Sequence, residues 1–461
     1  MSGSVAAQAM PAGFKQRRVQ NWMVVGLLYM FFYMSRYNLA AIAPSLMTFF
    51  GWTKVDFGLF ETTLPLVYGL SVVINGPIAD RVGGRKAFLF GAAGVTVASL
   101  LLGLIRFLVE SPAVWVAGAA GQVVGTEAVL AFGLTRGELL WGMAILWGVN
   151  GYFQSFGALS IVKVNAQWFH VRERGTFAAV FGVLIRLGLV LAFSGVPLIV
   201  SVLPWQWAFW IPGALVGTFF FATWFLVKDT PADAGLGEFD TGDEGGGSDV
   251  KVRIADVLKK VFSSRIMWTI ALSSMMIGVI RRSCIDGWYR TYYDNVFHVG
   301  GTDFSYQLAA WGIAIGGIGG GFLLGWMSDH VYGGRRAPVV ALGFVGMACA
   351  LGLFWVSDEL DLGPIAAALL LTLQSFFVNG AHGMIGGAAS MDFGGRKGAA
   401  TAAGLFDGMQ YLAASFVGVT VGWITSTHGW QWWKLWPLPF AVVGLGLMLS
   451  LWNARPGQKA H

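Results

Sequence analysis

The stretch Gly76–Lys86, with the sequence GPIADRVGGRK, follows the second of many long apolar segments in this chain. A similar stretch, GWMSDHVYGGRR at Gly325–Arg336, follows the eighth apolar segment. Two copies of one polar turn at equivalent places predict a chain that is built from two similar halves. We expect these turns to be conformational loops on one face of the molecule, with the charged residues Asp80, Arg81, Arg85, Asp329 and Arg335.

The composition predicts a helical membrane protein. The chain has 461 residues, of which 56% are hydrophobic and 12% are charged, and its mean hydropathy is +0.64. Soluble domains carry about 25% charged residues. We predict an all-α integral membrane fold with twelve transmembrane helices in two six-helix, pseudo-symmetric halves. The halves cover residues 1–227 and 265–461, joined by a cytoplasmic linker at 228–264. The predicted spans are 21–43, 58–79, 87–108, 139–161, 176–199, 207–227, 266–293, 304–327, 337–356, 363–387, 399–424 and 434–452.

Lysine and arginine indicate the topology. Most of them fall in segments on the side of the N-terminus, and the opposite loops hold only Lys54, Arg106, Arg136 and Lys434. Because cytoplasmic loops carry the excess of positive charge, we expect both termini in the cytoplasm and a multi-pass position in the cell inner membrane. The net charge of +6 follows this topology and does not indicate nucleic acid. Met1–Val19 is polar, so we expect no cleavable signal peptide.

Two segments and two cysteines do not follow the regular pattern of spans. The linker contains Gly242–Asp249, GDEGGGSD, and is predicted to be flexible. The insertion at 109–138 lies between the third and fourth spans, and we expect a re-entrant or outer amphipathic element there. Cys284 and Cys349 lie inside spans and are expected to be small core residues rather than a disulfide or a metal pair.

Two arginines lie inside otherwise apolar spans, Arg36 in the first and Arg281 in the seventh. A charge at the centre of a membrane helix costs about 2.5–3.5 kcal/mol on insertion scales. Both arginines lie roughly 20 Å along their helices. Two cations at matched depth in the two halves predict a central pocket for a small anion, and the guanidinium fork suits phosphate oxygens. Glu61 is the one core carboxylate of the first half that is well placed to pair with a cation.

Further polar residues are predicted to surround this pocket. Arg186 and Asp407 occupy near-equivalent places in the fifth and eleventh spans, so they either pair across the interface or flank the substrate. Asp286 lies one turn past Arg282 and can orient an arginine, while Arg282 itself is expected to face elsewhere. His382 is either a substrate contact or a satisfied packing residue. The predicted substrate-binding residues are Arg36, Arg281, Arg186, Tyr37, Tyr68, His382 and Asp407.

The two charged turns resemble the signature loop of the major facilitator superfamily. Seven segments lie along nearly the whole chain: FYMSRYNLAAIAP (Phe32–Pro44), YGLSVVINGPIADRVGGRK (Tyr68–Lys86), NGYFQSFG (Asn150–Gly157), WFHVRERG (Trp168–Gly175), DTPADAGL (Asp229–Leu236), RRSCIDGW (Arg281–Trp288) and GAATAAG (Gly398–Gly404). They resemble, more narrowly, the organophosphate:phosphate antiporter family, which includes glycerol-3-phosphate and hexose-phosphate transporters. The resemblance implies a substrate site near mid-membrane between the halves. It also implies that Arg36 and Arg281 are the family's two phosphate-binding basic residues.

The chain departs from this family at positions that bear on the substrate. Ile185 stands where glycerol-3-phosphate members carry a functional histidine, and Ala158 and Leu159 stand where many members have a proline pair. Asp407 stands in the eleventh span where small residues are usual. The resemblance therefore implies phosphate binding without naming the organic group.

The implied activity is secondary transport, in which an organic phosphate of the sugar or glycerol phosphate type is exchanged for inorganic phosphate by alternating access. One alternative is a transporter-like membrane sensor of a sugar phosphate. Another is a proton-coupled organic anion symporter, for which Asp407 and His382 supply titratable groups. No metal, nucleophile or nucleotide-binding motif is found, so we expect neither enzymatic activity nor a cofactor. The expected partners are organic phosphate, inorganic phosphate and the lipid bilayer, with no nucleic acid and a monomeric state.

Overall fold

The structure is a computed structural model that describes residues 12–111, 114–117, 123–126, 129–170, 174–241, 263–389 and 404–454. The side chains of residues 73, 77, 80, 114–117, 123–126, 129, 174–180, 387 and 388 are outside this description. Three predictions therefore lie outside the described residues. They are the role of the Asp80 side chain, most of the linker (242–262), and the junction of the tenth and eleventh spans (390–403).

The helices of the first six spans, here α1 to α6, contain the predicted segments to within one residue. Capping boxes start two of them, Thr53 with Asp56 at α2 and Thr135 with Glu138 at α4. The bounds are α1 Phe14–Ala41 with Ala43–Phe50, α2 Lys54–Val82, α3 Gly84–Leu104 with the 3₁₀ turn Ile105–Leu108, α4 Arg136–Gln154 with Phe156–Trp168, α5 Arg174–Val190 with the π-helical turn Leu191–Gly195 and Val196–Val202, and α6 Trp207–Leu226.

The last six spans, α7 to α12, follow the same order, with one departure from the prediction. The seventh span, predicted as continuous, is interrupted at Ile285–Trp288, where the N–H groups of Ile285 and Asp286 both donate to the Arg281 carbonyl. The bounds are α7 Arg265–Cys284 with Tyr289–Val296, α8 Phe304–His330, α9 Arg336–Glu359, α10 Gly363–Gly383 with the π-helical turn Met384–Ala389, α11 404–415 with Val417–Thr427, and α12 Trp430–Leu435 with Leu438–Ser450.

Seven of the described helices are long and apolar enough, by length and composition, to cross a membrane. The described helices as a set account for all twelve predicted spans, and the start of the eleventh lies outside the described residues. Large apolar side chains such as Ile74, Phe225 and Phe416 are exposed on the outside of the bundle, where a bilayer would cover them. Cys284 is buried as expected, but the core prediction for Cys349 is wrong because its side chain is exposed.

The insertion between α3 and α4 is a β-hairpin, not the re-entrant or amphipathic element that we expected. β1 (Val109–Ser111) pairs antiparallel with β4 (Val129–Leu130), and β2 (Val114–Ala117) pairs antiparallel with β3 (Val123–Thr126). The valines of these strands favour extended backbone, since β-branched side chains fit a pleated surface. The short 3₁₀ turn Ala131–Gly133 then leads into α4.

The two sets of six spans meet tightly at one end of the bundle. We call this end the loop face; α2 begins there, and α11 ends there. The opposite end, where α1 begins and α6 ends, is the linker face. A Cβ atom on Gly418 of α11 would lie 2.3 Å from the Gly58 carbonyl oxygen of α2, and one on Gly422 would lie 2.5 Å from the Lys54 carbonyl oxygen. Glycine at these positions thus allows the two backbones to touch and close the loop face.

The chain that leaves α6 is fixed to the linker face. The Asn21 side chain donates to the Lys228 carbonyl at 3.0 Å and accepts from the Lys228 N–H at 2.8 Å. The Trp168 indole donates to the same carbonyl at 3.1 Å. The Asp229 carboxylate accepts from the Arg85 N–H at 2.7 Å. This segment, which includes the 3₁₀ turn Ala232–Ala234, therefore belongs structurally to the first six spans.

The predicted conformational loops make contacts within their own six spans. The Arg85 guanidinium donates to the Trp224 carbonyl, whereas Arg81 is exposed. Asp329 forms an ion pair with Arg336 rather than with Arg335. Arg335 donates through Nε to the Tyr332 carbonyl at 3.2 Å.

Candidate functional site

Arg36 lies in the centre of α1 and is only 1% exposed. Its guanidinium lies between two aromatic rings, 4.6 Å from the centroid of Tyr33 and 4.4 Å from that of Tyr68. Nε donates to the Gln154 amide oxygen at 2.8 Å, and Nη1 donates to the Tyr411 hydroxyl at 3.3 Å. Nη2 is buried and has no hydrogen-bond partner among the described residues. Neutral groups thus hold Arg36 in place and leave one donor free.

Arg281 is 8% exposed and lies in the last turn of the helical segment Arg265–Cys284, beside the break in α7. The break turns the chain back, so that Asp286 Oδ2 lies 2.7 Å from Arg281 Nε. The Tyr37 hydroxyl donates to the same carboxylate oxygen at 3.2 Å. Tyr37 is the neighbour of Arg36 in sequence, so one carboxylate of α7 joins Arg281 to the α1 residue beside Arg36.

Arg282 faces α2, where Glu61 accepts from it. The Nη2 and Oε2 atoms are 2.7 Å apart, and the two side chains are 7% and 2% exposed. Successive residues on a helix point about 100° apart, so Arg281 and Arg282 reach different partners. Asp286 thus orients Arg281, as one of the two arginines beside it was predicted to be oriented. The carboxylate of Glu61 pairs with Arg282 rather than with Arg36.

Arg186 and Asp407 do not pair in the described structure. Arg186 instead donates from Nη2 to the Asn379 amide oxygen at 2.6 Å, and its buried Nη1 has no partner among the described residues. A Cβ atom on Gly317 would lie 3.2 Å from the Arg186 guanidinium carbon, so this glycine makes room for it. Of the two readings of the sequence, the pairing of Arg186 with Asp407 is therefore not observed.

His382 on α10 has a polar partner on α11. Its Nδ1 lies 3.1 Å from the Gln410 amide nitrogen, which donates if Nδ1 is unprotonated. The His382 side chain is half-buried, as are those of Arg186 and Asp407, whereas Arg36 and Arg281 are buried. His382 is thus both packed against a partner and accessible at the edge of the site.

A small cavity of about 20 Å³ lies beside Arg281, with room for about one water molecule. Helices α1, α2, α7 and α11 all contribute to its walls. The residues that line it are Tyr37, Pro65, Gly278, Arg281, Arg282, Asp286, Gln410, Tyr411 and Ala414. Among the described residues, no group of three His, Cys, Asp or Glu side chains is arranged to hold a metal ion.

The sequence did not single out Gln410 or Tyr411 as site residues, although each contacts a predicted one. A signal was available for Tyr411, which lies four residues after Asp407 and hence on the same face of α11. The contacts of Gln154 with Arg36 and of Gln410 with His382 join different helices, and no spacing within one helix predicts them.

Comparisons with known proteins identify a family and several relatives of this chain. A family profile described as the Major Facilitator Superfamily matches residues 25–418. The "Probable hexose phosphate transport protein" of Chlamydia pneumoniae is 24% identical over 457 residues, which cover 96% of this chain and 92% of that protein. The "Glycerol-3-phosphate transporter" of Bacillus subtilis (strain 168) is 26% identical over 467 residues, which cover 98% and 96%.

One further relative and one solved structure bear on function and fold. The "Membrane sensor protein UhpC" of Salmonella typhimurium is 24% identical over 457 residues, covering 95% of this chain and 92% of that protein. The crystal structure of a bacterial homolog to the human lysosomal transporter Spinster, inward-facing and unoccupied, matches with a TM-score of 0.73 and 14% identity. It covers 95% of this chain and 98% of that one, and so supports the fold alone.

Proposed function

This chain belongs to the major facilitator superfamily, and from that premise we propose that it exchanges an organic phosphate for inorganic phosphate by alternating access. The narrower resemblance to the organophosphate:phosphate antiporter family is confirmed by relatives that are named as hexose phosphate and glycerol-3-phosphate transporters. Membership in this superfamily identifies a multi-pass membrane transport protein rather than an enzyme.

The observation that carries the proposal is the pair of buried arginines from the two sets of spans. Arg36 keeps Nη2 free of protein partners among the described residues, and Arg281 lines a cavity that Tyr37 and Tyr411 share. A phosphate that binds both guanidinium groups gains charge-assisted hydrogen bonds in a site from which water is largely excluded. Asp286 competes with that phosphate for Arg281. Anion binding therefore weakens the Arg281–Asp286 ion pair while it forms new bonds between the phosphate and the arginines.

Alternating access requires the loop face to open, and the described contacts define what must separate. The backbones of α2 and α11 part at Gly58 and Gly418, and the Arg282–Glu61 ion pair breaks. An empty site leaves the charge of Arg36 without an anion in a medium of low dielectric constant, which disfavours reorientation. Exchange is then obligatory, because the site reorients readily only when an anion occupies it.

The test is uptake of labelled phosphate into proteoliposomes that are preloaded with unlabelled phosphate. Uptake is expected in loaded vesicles, absent in empty vesicles, and lost in an Arg281→Ala variant. Arg136→Ala is the matched control, since Arg136 pairs with Asp56 at the loop face, away from the cavity. Equal uptake into loaded and empty vesicles contradicts exchange, and loss of uptake with a proton uncoupler favours the symporter.

A sensor is the second candidate, because one relative is named as a membrane sensor protein. A sensor binds its ligand but carries little flux. Thermal stabilisation of the purified protein by an organic phosphate, without flux in the vesicles, identifies it.

We also propose that both termini face the cytoplasm and that the chain of 49.5 kDa works as a monomer. The concentration of lysine and arginine on the linker face supports the orientation, and the presence of both sets of spans in one chain supports the monomer. Protease cleavage of a terminal tag from one side of the membrane, and light scattering of the purified protein, decide these two points.

A further inference from the structure

The central charge cluster contains more charges than its ion pairs use. It consists of Arg36, Arg186, Arg281, Arg282, Glu61, Asp286 and Asp407. Two ion pairs, Arg281–Asp286 and Arg282–Glu61, account for four of these groups. Among the described residues, Arg36 and Arg186 contact only neutral side chains, and Asp407 has no hydrogen bond or ion pair. Two cations and one carboxylate are therefore available to a ligand.

Asp407 lies on the linker side of the phosphate-binding arginines. It precedes Tyr411, the partner of Arg36, by four residues on one face of α11, which is about 6 Å along the helix axis. Arg281 and Arg36 are the cations whose charges act on it. Asp407 is half-buried while both arginines are buried, so it is more accessible to solvent than they are. A ligand with its phosphate at Arg36 thus extends its organic part past Asp407.

The chemistry of a carboxylate at this place favours one kind of organic group. A dianionic phosphate monoester gains from the arginines but is repelled by Asp407 if the rest of the molecule is neutral. A hydroxyl group can donate one hydrogen bond to the carboxylate, whereas a protonated amine donates a hydrogen bond and also brings a positive charge, whose attraction to the carboxylate is strong away from bulk water. A half-buried carboxylate that no ion pair among the described residues neutralises also gains from a cationic ligand group.

We propose that Asp407 is a specificity-determining residue that binds a protonated amine, so that the preferred substrates are organic phosphates bearing an amine a short chain or one sugar ring away from the phosphate. This inference rests on the proposed phosphate site at Arg36 and Arg281. It names the class of organic group, which the resemblance left open.

The test compares pairs of compounds that differ only in an amine or a hydroxyl group. Inhibition of labelled phosphate exchange is measured with 2-aminoethyl phosphate against 2-hydroxyethyl phosphate, and with glucosamine 6-phosphate against glucose 6-phosphate. The amine of each pair is expected to reach half-inhibition at about a tenfold lower concentration, because it adds a charge attraction to the hydrogen bond that both compounds can make. Asp407→Asn is expected to bring this ratio to about one, and Asp407→Glu to preserve it. Asp361→Asn, at an exposed position, is the control that keeps the wild-type ratio.

Binding of the same pairs to the purified protein is measured through thermal stabilisation. This measurement gives the ratio of amine to hydroxyl affinity even if the protein carries no flux. An amine-to-hydroxyl ratio near one in the wild type, or a ratio that Asp407→Asn leaves unchanged, overturns the proposal. Phosphate exchange with a ratio near one contradicts this inference alone. Absence of phosphate exchange together with a high amine ratio in binding contradicts the exchanger and supports the role of Asp407.

Discussion

Glu61 of α2 and Arg282 of α7 form an ion pair 2.7 Å long that joins the first six spans to the last six. It lies between the central cavity, which Arg282 also lines, and the glycine contacts that close the loop face. Both side chains are almost fully buried, so the loss of either partner leaves an unpaired charge away from water. The pair therefore stabilises the state in which the loop face is closed.

Replacing Glu61 by glutamine is expected to open the loop face more often. The closed state loses its ion pair, and a loss of about 1.4 kcal/mol changes a two-state population about tenfold. The measurement uses an Ala414→Cys variant, since Ala414 lines the cavity. A membrane-impermeant maleimide is added at the loop face, and the rate at which it labels the new cysteine is recorded. Cys349→Ser is the background, because Cys349 is exposed.

The charge-swapped double variant, Glu61→Arg with Arg282→Glu, tests whether the pair itself is responsible. It is expected to return the labelling rate toward that of the parent. Glu359→Gln, on the exposed surface, is the neutral control. Equal labelling in the parent and in Glu61→Gln argues against a closing role for this ion pair.

Replacing Gly418 by alanine is expected to reduce phosphate exchange by about tenfold, since overpacking of this kind costs about 1–3 kcal/mol. The added methyl group would lie 2.3 Å from the Gly58 carbonyl oxygen, so α2 and α11 cannot approach as they do now. Gly142→Ala is the matched control, because a Cβ atom there meets nothing within 4 Å. Similar exchange rates in both variants would show that close contact of these helices is unnecessary.

Replacing Gln154 by glutamate is expected to weaken phosphate binding by about tenfold or more, because a charge-assisted bond then competes for Arg36. The new carboxylate would lie where the amide oxygen is now, 2.8 Å from Arg36 Nε. The concentration of phosphate that half-saturates exchange measures the effect. Gln154→Met is the control, because it removes the amide without adding charge. If it raises the half-saturating concentration of phosphate as much as Gln154→Glu does, the weaker binding comes from the missing hydrogen bond and not from the new charge.

The ion pair of Lys434 with Asp358 predicts two unequal losses of stability. Lys434 is completely buried beneath Tyr292 and Phe354, whereas the Asp358 side chain is 27% exposed. Asp358→Asn leaves a buried ammonium group without its carboxylate, and we expect a loss of about 3 kcal/mol. Lys434→Met leaves a carboxylate that water can reach, and we expect about 1 kcal/mol or less. Thermal unfolding in detergent gives the order, and a reversed order contradicts this account.

The spans and the two central arginines could be predicted because each depends on signals within one segment. Apolar length defines a span, and a charge inside an apolar span needs a reason that lies within the membrane. The same logic correctly placed Asp286 as a partner for an arginine of α7. It failed for the insertion, where Gly, Ala and Val residues fit either a membrane segment or the β-hairpin that the structure contains.

The partners across helices could not be predicted. Glu61 meets Arg282 and Gln154 meets Arg36 only after α2 and α7, or α1 and α4, have packed. The equivalence of Arg186 and Asp407 in the two halves suggested a pair, but Arg186 bonds Asn379 of α10 instead. Approximate symmetry between halves fixes the depth of a residue along its helix, and it leaves the direction in which the side chain points undetermined.

The bonds between Asn21 and the backbone of Lys228 tie the start of α1 to the chain that leaves α6. These bonds connect the two ends of the first six spans, and both partners have been synthesised before the seventh span. A chain cut within Gly242–Asp249 should accordingly work as two co-expressed pieces that assemble in one membrane and regain phosphate exchange. Asn21→Ala should reduce the amount of the first piece that survives cellular proteolysis. Immunoblotting measures this amount, with the uncut chain as the reference.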